Sequence, residues 1–297
     1  MNEKQIKKVI ENWANEKVVG ISPITNRGQV NQIYLVETAK EKYILRSDLS
    51  EDNTSRFQKE MWCAKAVSEL NVVSPKVFTI GLEDGHPYMI MSYIEGTNGD
   101  ESMEKDKIWK TLGEYARKIH SIPVEGYGEG MTSPGVFKDS WSRYLDYNIS
   151  SLRPGDKAIE LGVITEKESE KIKEIFLNLK NKNFKFGLIH YDLSLKNTIL
   201  TTSDEVCLID WGSAKVAPVP HVDIAEILDS SLDENSEQFA LFLKGYGFTY
   251  QDYKKIKSEM AQVNLLIHMD KLRWAIDRRK DKVGYFSQEV KNKLTKV

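Results

Sequence analysis

The segment "GLIHYDLSLKNTIL", Gly187 to Leu200, places His190, Asp192, Lys196 and Asn197 in a short polar run between two apolar stretches. Polar residues hemmed in by strand-like segments need partners, or they carry chemistry. A further carboxylate, Asp210, stands in "LIDWG" at the end of the next apolar stretch. The first loop leaves one strand and returns in "TIL", which predicts a tight polar hairpin connection. An Asp and an Asn converging there can share one cation and leave the other Asp as a base. Mg²⁺ suits so sparse a set, because it prefers one or two carboxylates plus substrate phosphates to a full protein cage. Asn197 and Asp210 are therefore the metal candidates and Asp192 the candidate base. The structural alternative is an Asp that caps the loop backbone, with Asn197 making an Asx turn.

The elements that must hold these residues fall into two groups. The first third reads mostly as strands: "VVGISPI", "QIYLVET", "KYILRS", "SPKVFTIG" and "PYMIMSYI", short and rich in β-branched and aromatic residues. One helix interrupts them, from about Asn53 to Leu70, with Phe57, Met61 and Ala64 on its apolar face and Asn71 as C-cap. The polar run "YIEGTNGDES" is the candidate linker, near residues 95–102. Helices follow. One carries the stripe Ile108, Leu112, Tyr115, Ile119. Another carries Ile172, Ile175, Phe176, Leu179 and opens on a capping box at Thr165 and Glu168. A small β insertion, "FGLIH", "NTILTT" and "EVCLIDW", precedes more helices from about His221, itself read as a loop residue. The expected organisation is a β-rich lobe over residues 1–95 and a mainly helical lobe over 96–297, with a cleft between them.

Composition narrows the classes. The chain of 297 residues is 40% apolar and 29% charged, ordinary for a globular protein. A net charge of −2 offers no basic field for nucleic acid. Cys63 and Cys207 lie far apart and outside any CxxC pattern, which points to two reduced core thiols in a cytoplasmic protein. No apolar run approaches the ~20 residues that span a bilayer, and "MNEKQIKKVIENW" lacks a signal-peptide core. No nucleic-acid or membrane partner is expected, and oligomeric state is left open.

"HYDLSLKN" followed by "IDWG" resembles the catalytic and metal loops of protein kinases, H-R-D-L-x-x-x-N and D-F-G. With Trp211 for Phe and no Arg before Asp192, it is more similar to the aminoglycoside phosphotransferase and choline kinase superfamily, whose usual forms are H-x-D-x-x-x-x-N and I-D-[WF]. The likeness runs in order over nearly the whole chain. It implies an α+β, two-lobed protein-kinase-like fold, with a β-rich N-terminal lobe and a mainly helical C-terminal lobe. Asp192 would then be the catalytic base, with Asn197 and Asp210 on Mg²⁺. Two positions depart from the usual pattern: Tyr191 replaces a small residue, and Lys196 stands where tyrosine kinases carry an Arg near the transferring phosphate. Lys196 reads either as an electrostatic helper or as a solvated lysine.

On the nucleotide side, "TNRGQVNQIYLV" resembles the family's G-G-x-x-N-x-x-Y-x-V, with Gly28 kept and Arg27 in place of the other glycine. In "KYILRS", Tyr43 and Leu45 face one way, Ile44 and Arg46 the other. A cation in a strand fit for burial needs an anion, and Glu60, on the apolar arc of the next helix, is the natural partner. The resemblance makes Arg46 the phosphate contact, its fork suited to bidentate binding. It also makes "MIMSYIEG" the hinge, where the Ser92 carbonyl and the Ile94 N–H would read an adenine edge. Gly28, Arg46, Glu60, Ser92, Ile94 and Lys196 thus form the expected cofactor set for ATP, with GTP the alternative.

On the acceptor side, "DIAEILDSSLDENSE" has six acidic residues and no basic one, either a solvated helix face or an attraction for a cationic acceptor. Asp223 matches the family's D-[LI]-A segment, which implies support of the catalytic loop. "DKLRWAIDRRKDK" is read as packing through Leu272, Trp274 and Ile276. A quaternary ammonium would want an aromatic cage, for which Trp141, Tyr144, Tyr147 and Trp274 are available. The resulting expectation is an Mg²⁺·ATP-dependent phosphotransferase acting on an alcohol of a small acceptor, such as a cationic aminoglycoside. A choline or amino-sugar kinase and a nucleotide-binding regulator without turnover are the alternatives. A protein kinase is disfavoured, because no A-P-E-like segment follows "DWG".

Overall fold

Asn2 starts the first helix. Its side chain accepts the Gln5 N–H (3.0 Å), and the Gln5 side chain accepts the Asn2 N–H (2.9 Å). This capping box launches α1 (Glu3–Ala14), which the strand-dominated reading of the first third did not anticipate. The computed structural model describes residues 1–24, 31–48 and 54–297. After α1 come β1 (Val18–Pro23), β2 (Asn31–Thr38), β3 (Lys42–Asp48), α2 (Thr54–Ser68), β4 (Val77–Glu83) and β5 (His86–Ser92). The strands form one antiparallel sheet in the order β1-β2-β3-β5-β4. Alternation along β3 sorts its faces. Leu45 is buried with Ile6, Val9 and Ile10 of α1, while Arg46 points to α2.

On α2, Phe57, Glu60, Ala64 and Val67 are buried as their spacing predicts, and Asn71 beyond the helix is left-handed (φ 55°). Met61 is a correction: it is 37% exposed, because the buried arc runs through Lys59 and Cys63 instead. Both cysteines are free and buried.

The polar run near residues 95–102 contains a strand, β6 (Gly96–Asn98), followed by α3 (Lys105–Ile119), β7 (Tyr127–Ser133), β8 (Val136–Asp139), α4 (Trp141–Ser151), α5 (Lys157–Glu160) and α6 (Glu166–Lys180). The Thr165–Glu168 capping box of α6 is present as read. Then come β9 (Phe186–Ile189), β10 (Thr198–Thr201), β11 (Val206–Leu208), β12 (Lys215–Pro218), α7 (His221–Ser230), α8 (Glu237–Tyr246), α9 (Tyr250–Arg278) and α10 (Val283–Leu294). His221 opens α7 and is buried, so it is not a loop residue. The acidic run is split between α7 and α8 rather than forming one helix.

The chain divides into two compact units, 1–108 with 194–214, and 109–193 with 215–297. The first unit holds a second sheet, β11-β10-β6, and takes residues 96–108 with it because β6 pairs with β10. The second unit holds the sheet β8-β7-β12-β9. β9 and β10 therefore belong to different sheets, and the expected tight hairpin between them does not form. β9 pairs with β12, and β10 is enclosed between β11 and β6. The core of the second unit packs Ile172, Phe176 and Leu179 of α6 with Val263, Leu266 and Met269 of α9. Leu272 is buried, but Trp274 is 46% exposed, which corrects the packing expected of that segment. No helix among the described residues is long and apolar enough to cross a membrane.

Within the second unit, α3 and α8 approach through glycines. A Cβ on Gly113 would meet the Phe242 carbonyl, and one on Gly245 the Lys110 carbonyl. Gly245→Ala is therefore expected to cost ~1–3 kcal/mol by overpacking. Urea denaturation measures it, and an unchanged midpoint would show that the helices can part freely.

Candidate active site

Asn197 and Asp210 stand at the open end of the β10–β11 hairpin. The register that pairs Thr198 with Leu208 is extended by one bond, from the Ile209 N–H to the Asn197 carbonyl (2.9 Å). Asp210 is the next residue. Backbone register alone thus brings an amide side chain and a carboxylate to neighbouring positions. Asn197 closes a 3₁₀ turn, Leu195–Asn197, and Asp210 precedes another, Trp211–Ser213. Asp210 is left-handed (φ 65°), a conformation that costs roughly 1–3 kcal/mol for a residue with a Cβ. The turn after it offsets part of that cost: the Gly212 N–H donates to Asp210 Oδ1 (3.4 Å), and the buried Trp211 donates through Nε1 to Ser74 Oγ (2.9 Å).

Arg46 and Glu60 meet as the two periodicities predict. Nη1 is 2.6 Å from Glu60 Oε2 and Nη2 is 3.4 Å from Oε1, a bidentate pair with side chains 8% and 3% exposed. Nη2 also lies 3.6 Å from Asp210 Oδ1. Burial pushes the Glu60 carboxyl above its usual range, against the pull of Arg46. The Asp210 carboxylate itself is 47% exposed, and its contacts among the described residues fall on Oδ1. A half-exposed carboxylate next in register to an amide-bearing residue is a donor set that fits Mg²⁺.

Sequence reasoning missed Lys59. It is 4% exposed, and its Nζ donates to the carbonyls of Gly212 (3.0 Å) and Ala214 (2.6 Å). Consecutive residues of α2 therefore hold the turn after Asp210 by opposite charges, Lys59 on its carbonyls and Glu60 through Arg46. The available signal was the helical row Lys59, Cys63, Val67, which continues a buried face.

In the second unit, the loop after β9 begins with buried His190 and left-handed Tyr191 (φ 65°). The Tyr191 N–H donates to Asp223 Oδ1 (2.9 Å), so Asp223 braces this loop. Asp223 Oδ2 is 3.0 Å from His120 Nε2, and His120 Nδ1 is 3.0 Å from Tyr246 Oη. All three side chains are buried, and the α3–α8 approach sets His120 and Tyr246 in place. His120 and Tyr246 carried no sequence signal, because each lies far from the loop along the chain. Asp192 follows Tyr191 and is exposed.

Other expected residues are more loosely specified. Gly28, like Arg27, lies outside the described residues. Ser92 ends β5, its N–H on the Lys76 carbonyl (2.9 Å) and its Oγ accepting the Lys76 N–H (3.0 Å). Ile94, past the strand, is half-buried, and Lys196 is exposed on the 3₁₀ turn. The four aromatic residues considered for a cage do not converge. Trp141 and Tyr144 pack with Tyr127 and Phe186, whereas Tyr147 and Trp274 are exposed and make no ring contact with that group among the described residues. A groove of about 480 Å³ lined by Gln58, Met61, Phe78 and Ile80 contains none of the expected residues.

No curated protein sequence matches the chain. Among solved structures, aminoglycoside phosphotransferase APH(4)-Ia is 15% identical with a TM-score of 0.71, covering 99% of each chain. Spectinomycin phosphotransferase APH(9)-Ia, in complex with ADP and spectinomycin, is 13% identical with a TM-score of 0.62, covering 100% of this chain and 99% of its own. Choline kinase LicA from Streptococcus pneumoniae is 16% identical with a TM-score of 0.65, covering 99% of each chain. These likenesses show the fold: α+β and protein-kinase-like, with a β-rich N-terminal lobe and a mainly helical C-terminal lobe. The family described as the phosphotransferase enzyme family matches residues 21–257, which include Arg46, Glu60, Asp192, Asn197 and Asp210, and the chain belongs to that family.

Proposed function

We propose that the protein is an Mg²⁺·ATP-dependent small-molecule kinase that transfers the γ-phosphoryl group to an alcohol of its acceptor. The observation that carries this reading is the hairpin end: Asn197 and Asp210 adjacent by register, with Asp210 3.6 Å from an Arg46 already paired to Glu60. In the reading, Asp192 orients the acceptor hydroxyl and takes its proton. Arg46 holds a donor phosphate, and Asn197 and Asp210 hold Mg²⁺, which when bound neutralises charge on the phosphates. Ser92 and Ile94 would offer main-chain groups to the adenine, and Gly28 a close backbone approach. Lys196 would add positive charge near the transferred group. Catalysis is then mainly positioning and charge stabilisation.

Complexes of similar folds support a nucleotide and a small acceptor. A mutant of APH(4)-Ia was crystallised with ADP and hygromycin B, and spectinomycin phosphotransferase with ADP and spectinomycin. An aminoglycoside is the first acceptor class to assay, and a choline-type amine the second, given the likeness to LicA. The test is ATP consumption over a panel of aminoglycosides, amino alcohols, amino sugars and sugars. Turnover dependent on one alcohol supports the reading. Mg²⁺·ATP binding with no acceptor-dependent turnover favours a regulator instead.

Asp210→Asn is expected to abolish the Mg²⁺ dependence of nucleotide binding, because Mg²⁺ prefers anionic oxygen. Calorimetric titration of ATP with Mg²⁺ and with EDTA checks it. An unchanged difference between the two would remove Asp210 from the metal site.

A further inference from the structure

A mixed-charge cluster in the second unit is used by none of the steps above. Lys215 on β12 sets its Nζ 3.1 Å from the centroid of the Tyr191 ring, and Lys271 on α9 sets its Nζ 5.2 Å from the same centroid. Both are half-buried. Neither ammonium has an ion-pair partner within 4.0 Å among the described residues. Glu226 on α7 is half-buried and likewise has no such partner. The Tyr191 hydroxyl is closed off from solvent and has no hydrogen-bond partner among the described residues.

Three of the neighbouring carboxylates are committed elsewhere. Asp223 serves Tyr191 and His120, Asp229 is paired with Lys293 (2.6 Å) and Asn264 (2.8 Å), and Asp270 accepts from Asn148 (3.4 Å). Glu129 on β7 is exposed and acts on Lys215 through solvent, without an ion-pair contact within 4.0 Å among the described residues. Burial drives the Lys215 ammonium down to about 8 and pushes the Glu226 carboxyl up, so both signs of charge are penalised where they stand. Charges of both signs, half-buried on separate elements and out of contact, are best satisfied by a ligand that carries both. A purely cationic ligand would add a third positive charge beside two lysines, and a neutral one would leave all of them unpaired.

We propose that this cluster recognises the acceptor, and that the acceptor is a small hydroxyl-bearing zwitterion whose anionic group lies between Lys215 and Lys271 and whose ammonium faces Glu226. The proposal rests on the phosphotransfer reading, since Asp192 directly follows Tyr191 and its charge is felt at Glu226. Tyr191 then has a role that a small residue could not fill: its ring orders the two lysines.

Matched acceptors test the proposal: serine against ethanolamine and hydroxypropionate, homoserine against aminopropanol and hydroxybutyrate, muramate against glucosamine. In at least one series the zwitterion should exceed its cation-only partner in kcat/KM by roughly 10²-fold, because a site built for a group rejects analogues lacking it. Lys215→Met should erase most of that preference, whereas Lys215→Arg should keep it. Glu226→Gln should weaken zwitterion and cation alike and spare the anion-only partner. Thermal melting reports whether each variant folds, and Lys271→Met carries the test if Lys215→Met does not. Cation-only acceptors used as well as their zwitterionic partners, or a preference indifferent to Lys215 and Lys271, would overturn the subsite. A wild-type protein that neither binds Mg²⁺·AMP-PNP nor consumes ATP would instead sink the phosphotransfer reading itself.

Discussion

Asp192→Ala is expected to slow phosphoryl transfer by ~10²–10⁴-fold while ATP affinity stays within a few-fold, the range usual for loss of a general base. The residue is exposed, so its removal opens no core cavity, and thermal melting of the variant reports whether the fold is kept. The loop that carries it is held from the preceding residue, by the Tyr191 N–H on buried Asp223 (2.9 Å), and that bond survives the substitution. A lost rate can therefore be read as lost chemistry. Steady-state kinetics with the best acceptor, beside calorimetric ATP binding, separates the two quantities. Most of the turnover remaining in the purified variant would sink the assignment.

Arg46→Ala is expected to act twice. It removes the proposed phosphate contact, and it strands Glu60, which is 3% exposed, without its cation. Breaking one side of a buried pair commonly costs ~3–5 kcal/mol, against ~0–1 for an exposed pair. Arg46→Lys keeps the charge but loses the fork that now spans Glu60 Oε2 and Oε1 at 2.6 and 3.4 Å, so an intermediate defect is expected. A double-mutant cycle with Glu60→Gln, read in both melting and ATP affinity, isolates the coupling. Coupling near zero would mean that the pair contributes no more than a surface contact.

The pH dependence of the Arg46→Ala defect has a definite sign. Burial already raises the Glu60 carboxyl, and loss of Arg46 removes the largest effect that lowers it. A carboxyl whose folded pKa exceeds its unfolded value, about 4.3, contributes stability below that value and loses it as pH rises through the folded pKa. The variant should therefore lie closer to wild type in acid than at neutral pH. A stability difference that stays flat over that window would mean Glu60 is not titrating in the variant.

Much of this molecule follows from the sequence by itself. Strand alternation put Arg46 on the face opposite Tyr43 and Leu45, and helical periodicity put Glu60 on the buried arc of α2. The Thr165–Glu168 capping box and the left-handed Asn71 are equally local, because a few neighbouring backbone groups decide them. The spacing of Asp192, Asn197 and Asp210 was legible because loop chemistry leaves polar residues where apolar ones would otherwise stand.

What only the tertiary structure decided depends on partners distant in the chain. Whether β9 turns back onto β10 is settled by the edges of β10, which β11 and β6 both occupy. Met61 and Trp274 fit an apolar stripe yet lie exposed, since a stripe shows which residues can be buried, not what covers them. Lys59 and Lys215 look like solvated lysines in sequence. One is buried on the carbonyls of Gly212 and Ala214 and the other lies against a tyrosine ring, because elements distant in sequence close around them. A charge reveals its partner only when the fold removes the water that would otherwise serve as one.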